Sequence, residues 1–306
     1  MKERAVRSGR PDLELDGALF VLGKGGVGKS VISEGLAALS AERGRRTLLV
    51  RMGESLHAAG EKVLVPTLSK HGFEVVDLEA RHAMDEYLRH VIRLRPLVDR
   101  ITSSEIYRKF FAAAPGLPEL VLLGRIRAYS VETLRNEGPR FHTIIVDCPS
   151  SGHGLLMLET PFAALRAASV GPFARLALGI IDWLRTSVRI ALVAIPEEMA
   201  VVEAIEFKSD LLEKTGLMPG IAFLNRMRQE SLSPAARRAL TEAAAAPGSH
   251  DRTLLDCAAL VQRRTRLETF HYRRLSRGLG LSPILVGELQ NSRPKTVAAA
   301  LSDVGP

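Results

Sequence analysis

Apolar runs of strand length recur along the chain at residues 18–22, 47–50, 73–76, 143–146, 190–195 and 221–224. Most are continuous rather than alternating, the pattern of parallel strands buried on both faces by helices. Between the first two runs the period changes. Ile32, Leu36 and Leu39 share one helical face within residues 29–43, and Gly44 supplies a stop, so the segment reads as a βαβ unit. Residues 84–137 have helical spacing, broken at Pro115-Gly116 and Pro118. They are expected to form a helical insertion beside the sheet, as are residues 162–184. Bland core packing explains the apolar residues of both intervals better than a peptide-binding groove does. Later helices are expected over residues 254–279 and 295–303, and the AAAAPGS stretch at 243–249 reads as a helix end running into a loop. Residues 1–16 are charged and rich in punctuation, a polar lead-in expected to be loosely ordered. The fold proper is expected over 17–306 as a single α/β domain, a mostly parallel sheet flanked by helices.

Composition narrows the class. The chain has 306 residues, 46% of them hydrophobic and 25% charged, which excludes collagen, low-complexity polymer and wholesale disorder. Its two cysteines, Cys148 and Cys257, form no CxxC pair, so neither a disulfide framework nor a four-cysteine zinc site is expected. No apolar stretch reaches the roughly 18 residues of a membrane span, and the N-terminus has no apolar core of a signal peptide. A cytoplasmic location is expected. The net charge of +8 comes from 42 Lys and Arg against 34 Asp and Glu. Its densest cluster includes Arg263, Arg264, Arg266, Arg273, Arg274 and Arg277, which fits a solvated helix face. Nucleic acid is not the expected partner, because no stacking aromatic set accompanies the charge.

The chemistry begins after the first strand. Gly23-Lys24-Gly25-Gly26-Val27-Gly28-Lys29-Ser30 fits GxxxxGK[ST] between a buried strand and a helix, the context that a Walker A phosphate loop requires. Its glycines let backbone N–H groups turn inward around phosphate oxygens, and the helix N-terminus adds its positive end. Lys29 is placed to neutralise the β- and γ-phosphates, and Ser30 to ligate Mg²⁺. Asp147 closes the 143–146 strand, where a carboxylate can hold the water shell of the same metal.

The second lysine of the loop, Lys24, makes GKGGVGKS resemble the deviant Walker A of the class containing ParA and MinD partition ATPases, nitrogenase iron protein, the arsenite-pump ATPase ArsA and the tail-anchored-protein-targeting ATPase. The string from Asp147 to Gly154, DCPSSGHG, is similar to the switch II of the ArsA and targeting branch, with His153 as a switch residue. Pro196-Glu197-Glu198-Met199 looks like the turn after a strand in bacterial ArsA-like proteins. The resemblance implies a P-loop NTPase fold, bound ATP and Mg²⁺, and a dimer in which Lys24 reaches the partner's nucleotide. It extends the nucleotide site to Val31 and implies that Asn225, next to Arg226, reads the adenine while the loop at Pro283 closes over it.

Four departures from the family pattern shape what is carried over. Zinc on a CxxC pair is not expected to bridge a dimer here, arsenite is not the expected cargo, and an iron–sulfur cluster finds no convincing ligands. Gly53 stands where the family usually places a switch I aspartate that positions the attacking water, and Glu54 is the only nearby carboxylate. The expected function is an ArsA-like dimeric switch ATPase, weak in turnover, acting on a protein or membrane partner. The alternatives are a catalytically weak regulatory subunit paired with an active paralogue and a ParA/MinD-type partition ATPase. The last is disfavoured by the 147–154 string and by the lack of a basic amphipathic tail.

Overall fold

The computed structural model describes residues 13, 15–52, 66–92, 94–135, 138–168, 170–228, 252–289 and 292–302, together with 235, 236, 238, 239 and 242. β1 (Gly17–Leu22) lies at the centre of an eight-stranded sheet, between β7 (Thr143–Asp147) and β8 (Val188–Ala194). Beyond β7 follow β2 (Thr47–Met52), β4 (Glu74–Leu78) and the two-residue β3 (Thr67–Leu68); beyond β8 follow β9 (Ile221–Met227) and β10 (Ile284–Gly287). Among the described strands of this sheet, β3 alone runs antiparallel to its neighbour. The chain therefore folds as the mostly parallel, helix-flanked α/β sheet of a P-loop NTPase.

Both faces of the strands are covered, which is why their sequences lack a polar alternation. On one face Leu19, Val21, Leu49, Ile145 and Phe223 pack against Ile32 and Leu36 of α1 (Lys29–Glu42) and against Val297 and Leu301 of the C-terminal helix Pro294–Ser302. Gly35 lets those two helices touch, since a Cβ there would overlap the Val297 side chain. On the other face Phe20, Leu22, Leu48, Val50, Ile144 and Leu192 meet a layer of helices, α5 (Leu117–Val131), α6 (Ser151–Ala167), α7 (Pro172–Thr186) and α8 (Glu198–Thr215).

Several boundaries differ from expectation, each for a local reason. The 84–137 interval contains α2 (Ala80–Val91), α3 (Arg95–Thr102), α4 (Glu105–Ala113) and α5, followed by a small hairpin of β5 (Thr133–Leu134) and β6 (Gly138–Pro139). Pro118 does not break a helix: it sits in the first turn of α5 behind a left-handed Gly116, where its missing N–H costs nothing. The 162–184 interval is two helices, separated around a positive-φ Gly171, and the first of them starts at Ser151. The loop expected at Pro283 runs straight into the strand β10, whose Ile284 pairs with Phe223. Leu13 and Leu15, inside the supposed polar lead-in, are buried in the α1-side core, and Arg43 Nη1 donates to the Leu13 carbonyl at 3.0 Å. The 243–249 patch lies outside the described residues. No described helix is long and apolar enough to cross a membrane.

Candidate functional site

The long parallel strands of the sheet point their carboxyl ends at one edge, and Gly23–Val31, Asp147, Asn225 and Arg226 gather there. The chain leaves β1 at Gly23, whose φ of 151° is closed to ordinary side chains and whose missing Cβ leaves room for the Val193 carbonyl. It enters α1 at Gly28, φ 94°, packed so closely under the Asn225 amide that a Cβ would overlap it. Two tight approaches thus fix the phosphate loop between β8 and β9, while Gly25 has open space around it.

Within the loop, Lys29 Nζ donates to the Lys24 carbonyl at 3.0 Å, so the ammonium spans the hollow. Val27 is buried beneath it, and Val31 is half-buried on the first turn of α1. Asp147 ends β7, level with Val21 on one neighbour and Arg51 on the other. Burial holds its carboxyl above the usual carboxylate range, opposed by a hydrogen bond from Ser30 and by the charges of Lys29 and Arg51. Ser33 Oγ lies 3.5 Å from Asp147 Oδ1, and Arg51 is itself paired with Glu34 at 2.6 Å. Ser30 and Asp147 present two hard oxygens side by side at the mouth of the loop. That donor set fits Mg²⁺, which keeps several waters and phosphate oxygens in its shell rather than filling it with protein ligands. Among the described residues no group of three or more His, Cys, Asp or Glu is arranged to hold a metal ion by itself.

The segment after Asp147 turns into α6 within four residues, so Gly152 and His153 are exposed on the first turn of a helix. Gly154 is buried there because a Cβ would overlap Leu22. Cys148 is buried, and burial together with the Asp147 charge pushes its thiol well up, so it behaves as a packing residue. Cys257 is exposed.

Asn225 is 6% exposed and is engaged at both ends of its amide. Its Nδ2 donates to the Val27 carbonyl at 2.9 Å and its Oδ1 accepts from the Arg226 N–H at 2.9 Å, so it braces the phosphate loop. Arg226 is the one non-glycine residue among those described with positive φ, at 58°. It borders a cavity of about 410 Å³ with Pro196, Glu197, His271 and Glu288. A larger cavity of about 870 Å³ lies next to it between Arg228, Glu268, Leu289 and Thr296. Pro283 is not brought to this edge. It precedes β10, which runs parallel to β9, so it lies at the far end of the strand and Glu288-Leu289 stand at the near end. Gly53 and Glu54 lie outside the described residues.

One residue beside the site had no sequence signal. Glu203 of α8 pairs with Lys24 at 3.3 Å and accepts a hydrogen bond from Ser151.

Residues 17–168 match the family model of the ArsA, or anion-transporting, ATPases. The chain belongs to the ArsA-like family. It is 30% identical over 232 residues to ATPase BagA of Mycobacterium tuberculosis, an alignment covering 70% of this chain and 66% of that protein. It is 27% identical over 210 residues to the arsenical pump-driving ATPase of Escherichia coli, covering 66% of this chain and 33% of that protein. A similar protein from Acidiphilium multivorum matches to the same extent. The chain thus aligns with about two thirds of the mycobacterial relative and a third of the pump-driving ATPases. The matched family segment contains the phosphate loop and Asp147 through Gly154, and it ends before Asn225, Arg226 and Pro283.

Proposed function

We propose that this chain binds Mg-ATP at the edge formed by Gly23–Val31 and Asp147, and hydrolyses it slowly as a nucleotide-driven switch. The observation that carries this is the convergence of a glycine-fixed phosphate loop, Lys29 across its hollow, and Ser30 against the Asp147 carboxylate. Backbone N–H groups and the α1 N-terminus bind the phosphates, and Lys29 exchanges the Lys24 carbonyl for their oxygens. Ser30 and Asp147 hold Mg²⁺, which when bound offsets the phosphate charge. The nucleoside extends past Asn225 and Arg226 toward the cavity bordered by Glu288, with Asn225 supporting the loop from beneath and Pro283 taking no part.

Lys24 acts in this proposal on the nucleotide of a second copy, or of a paralogue, and the resulting closure is read by a protein or membrane-associated partner in the cytoplasm. A regulatory subunit is the second reading, and Gly53 favours it. Without a carboxylate to orient water, phosphoryl transfer slows while binding persists, because positioning contributes about 10²- to 10⁴-fold. Calorimetry of Mg-ATP with Lys29→Ala tests the site: affinity should fall at least about 100-fold, two factors of ten of about 1.4 kcal/mol each, and undiminished binding would remove the loop from the account. Steady-state turnover tests the rate: Gly53→Asp should raise it by at least about tenfold with affinity nearly unchanged, whereas brisk wild-type turnover would end the claim of a weak ATPase.

A further inference from the structure

Lys24 brings the second positive charge of the phosphate loop, and within its own chain it is held at both ends. Its carbonyl accepts from Lys29 Nζ at 3.0 Å. Its ammonium lies 3.3 Å from Oε2 of Glu203. The other oxygen of that carboxylate, Oε1, accepts from Ser151 Oγ, on the first residue of α6. One side chain on α8 therefore joins the loop that receives phosphate to the helix that begins just after Asp147.

The exposure of the pair decides what kind of tie this is. The Lys24 and Glu203 side chains are 39% and 32% exposed, so water screens them and their attraction shifts an equilibrium by no more than about fivefold. Such a pair does little to hold the fold together and is easily exchanged for a stronger anion. A nucleotide supplies one. When phosphate draws Lys29 away from the Lys24 carbonyl, Lys24 gives up that contact, and the Glu203 pair is what still keeps its side chain in place.

We propose that Glu203 is a positioning residue that parks Lys24 against its own chain and links the release of that lysine to the seating of α6. The inference rests on the proposed action of Lys24 at the nucleotide of a second copy: a lysine paired with Glu203 is unavailable to that copy, so closure requires the pair to break. Glu203 thus opposes association until the nucleotide of a second copy draws Lys24 away, so the cost of breaking the pair falls on association even with Mg-ATP bound, and it keeps its hold on Ser151 through the other oxygen.

Sedimentation of the full chain with Mg-ATP, read as the dissociation constant of the pair of copies, tests this. Glu203→Gln keeps an oxygen for Ser151 and removes the charge that holds Lys24. Association should tighten by about fivefold, the whole of the exposed-pair range, while calorimetric affinity for nucleotide stays within about twofold. Introduced into Lys24→Ala, which itself associates poorly, Glu203→Gln should change nothing. If Lys24→Ala associates as well as the wild type, the action of Lys24 on a second copy is wrong. If Lys24→Ala is impaired but Glu203→Gln fails to tighten association, or tightens it equally with Lys24 absent, the parking role is overturned and the role of Lys24 stands.

Discussion

The two ends of the central sheet are made of the same strands and differ in almost every other respect. At the amino ends, Thr47 and Thr143 share a buried hydroxyl cluster with Ser40 of α1. Ser40 Oγ donates to Thr143 Oγ1 at 2.8 Å, and Thr47 Oγ1 meets Ser40 Oγ at 2.8 Å. Arg46 completes that end by donating to the carbonyls of Arg140 and Pro139 at 3.1 and 2.7 Å. Its polar groups answer one another, so that end contributes stability and offers nothing to a ligand. The carboxyl ends carry instead a loop at positive φ, a left-handed Arg226 and a buried carboxylate held above its ordinary range. Parallel sheets leave their strand ends and helix N-termini together at this edge, so strained backbone and charged side chains collect there. The difference separates residues that keep the fold from residues that the proposed function assigns to nucleotide.

The largest effect should come from the costly end. Asp147→Asn keeps the shape of the side chain and removes its charge, and hydrolysis should fall about 10²- to 10³-fold as a proposed Mg²⁺ ligand is lost. The same change should raise the melting temperature of the nucleotide-free chain near neutral pH. The sign follows from the raised pKa: the folded state disfavours the ionised form, so the stability tied to this group is present in full below the unfolded pKa and is lost as pH rises through the folded one. Thermal melts from pH 7 down toward pH 4 should show the gap between wild type and Asp147→Asn closing. A gap that widens would mean that the carboxylate is stabilised, not strained, by its surroundings.

The opposite pattern is expected at the amino end. Ser40→Ala leaves the buried Thr143 hydroxyl without that partner and should cost about 1–3 kcal/mol of stability in denaturant titrations. Nucleotide affinity should move by less than about twofold, since the two ends share the sheet but no side-chain contact of this cluster. A large loss of affinity in Ser40→Ala would show that the ends are coupled and that the division drawn here is too sharp.

How much of this division could be seen in the sequence depends on whether the parts of a feature are neighbours along the chain. The glycine-fixed loop between β1 and α1 was legible because its residues are neighbours along the chain, from Gly23 through Ser30. Asp147 was legible because an acid at the end of an apolar run marks a strand end. Glu203 was not, because its partners Lys24 and Ser151 lie on other elements and an acid on an amphipathic helix is an ordinary solvated residue in sequence. Leu13 and Leu15 were hidden by the charges around them, although alternate leucines beside a core are what a covering segment needs. Pro283 was misplaced because a proline followed by two apolar residues reads equally as a closing loop or as the first residues of an edge strand. Pairing of Ile284 with Phe223 resolves it as the strand and reverses which end of β10 faces the site.

Hydrogen exchange of the full chain with and without saturating Mg-ATP tests the assignment of the carboxyl edge as the nucleotide site most directly. Amides of residues 23–30 and of the first turn of α6 should exchange more slowly with nucleotide, and those of residues 40–47 and 143–144 should keep their rates. Slowing at the amino ends of the strands, or none at 23–30 under saturation, would contradict the account.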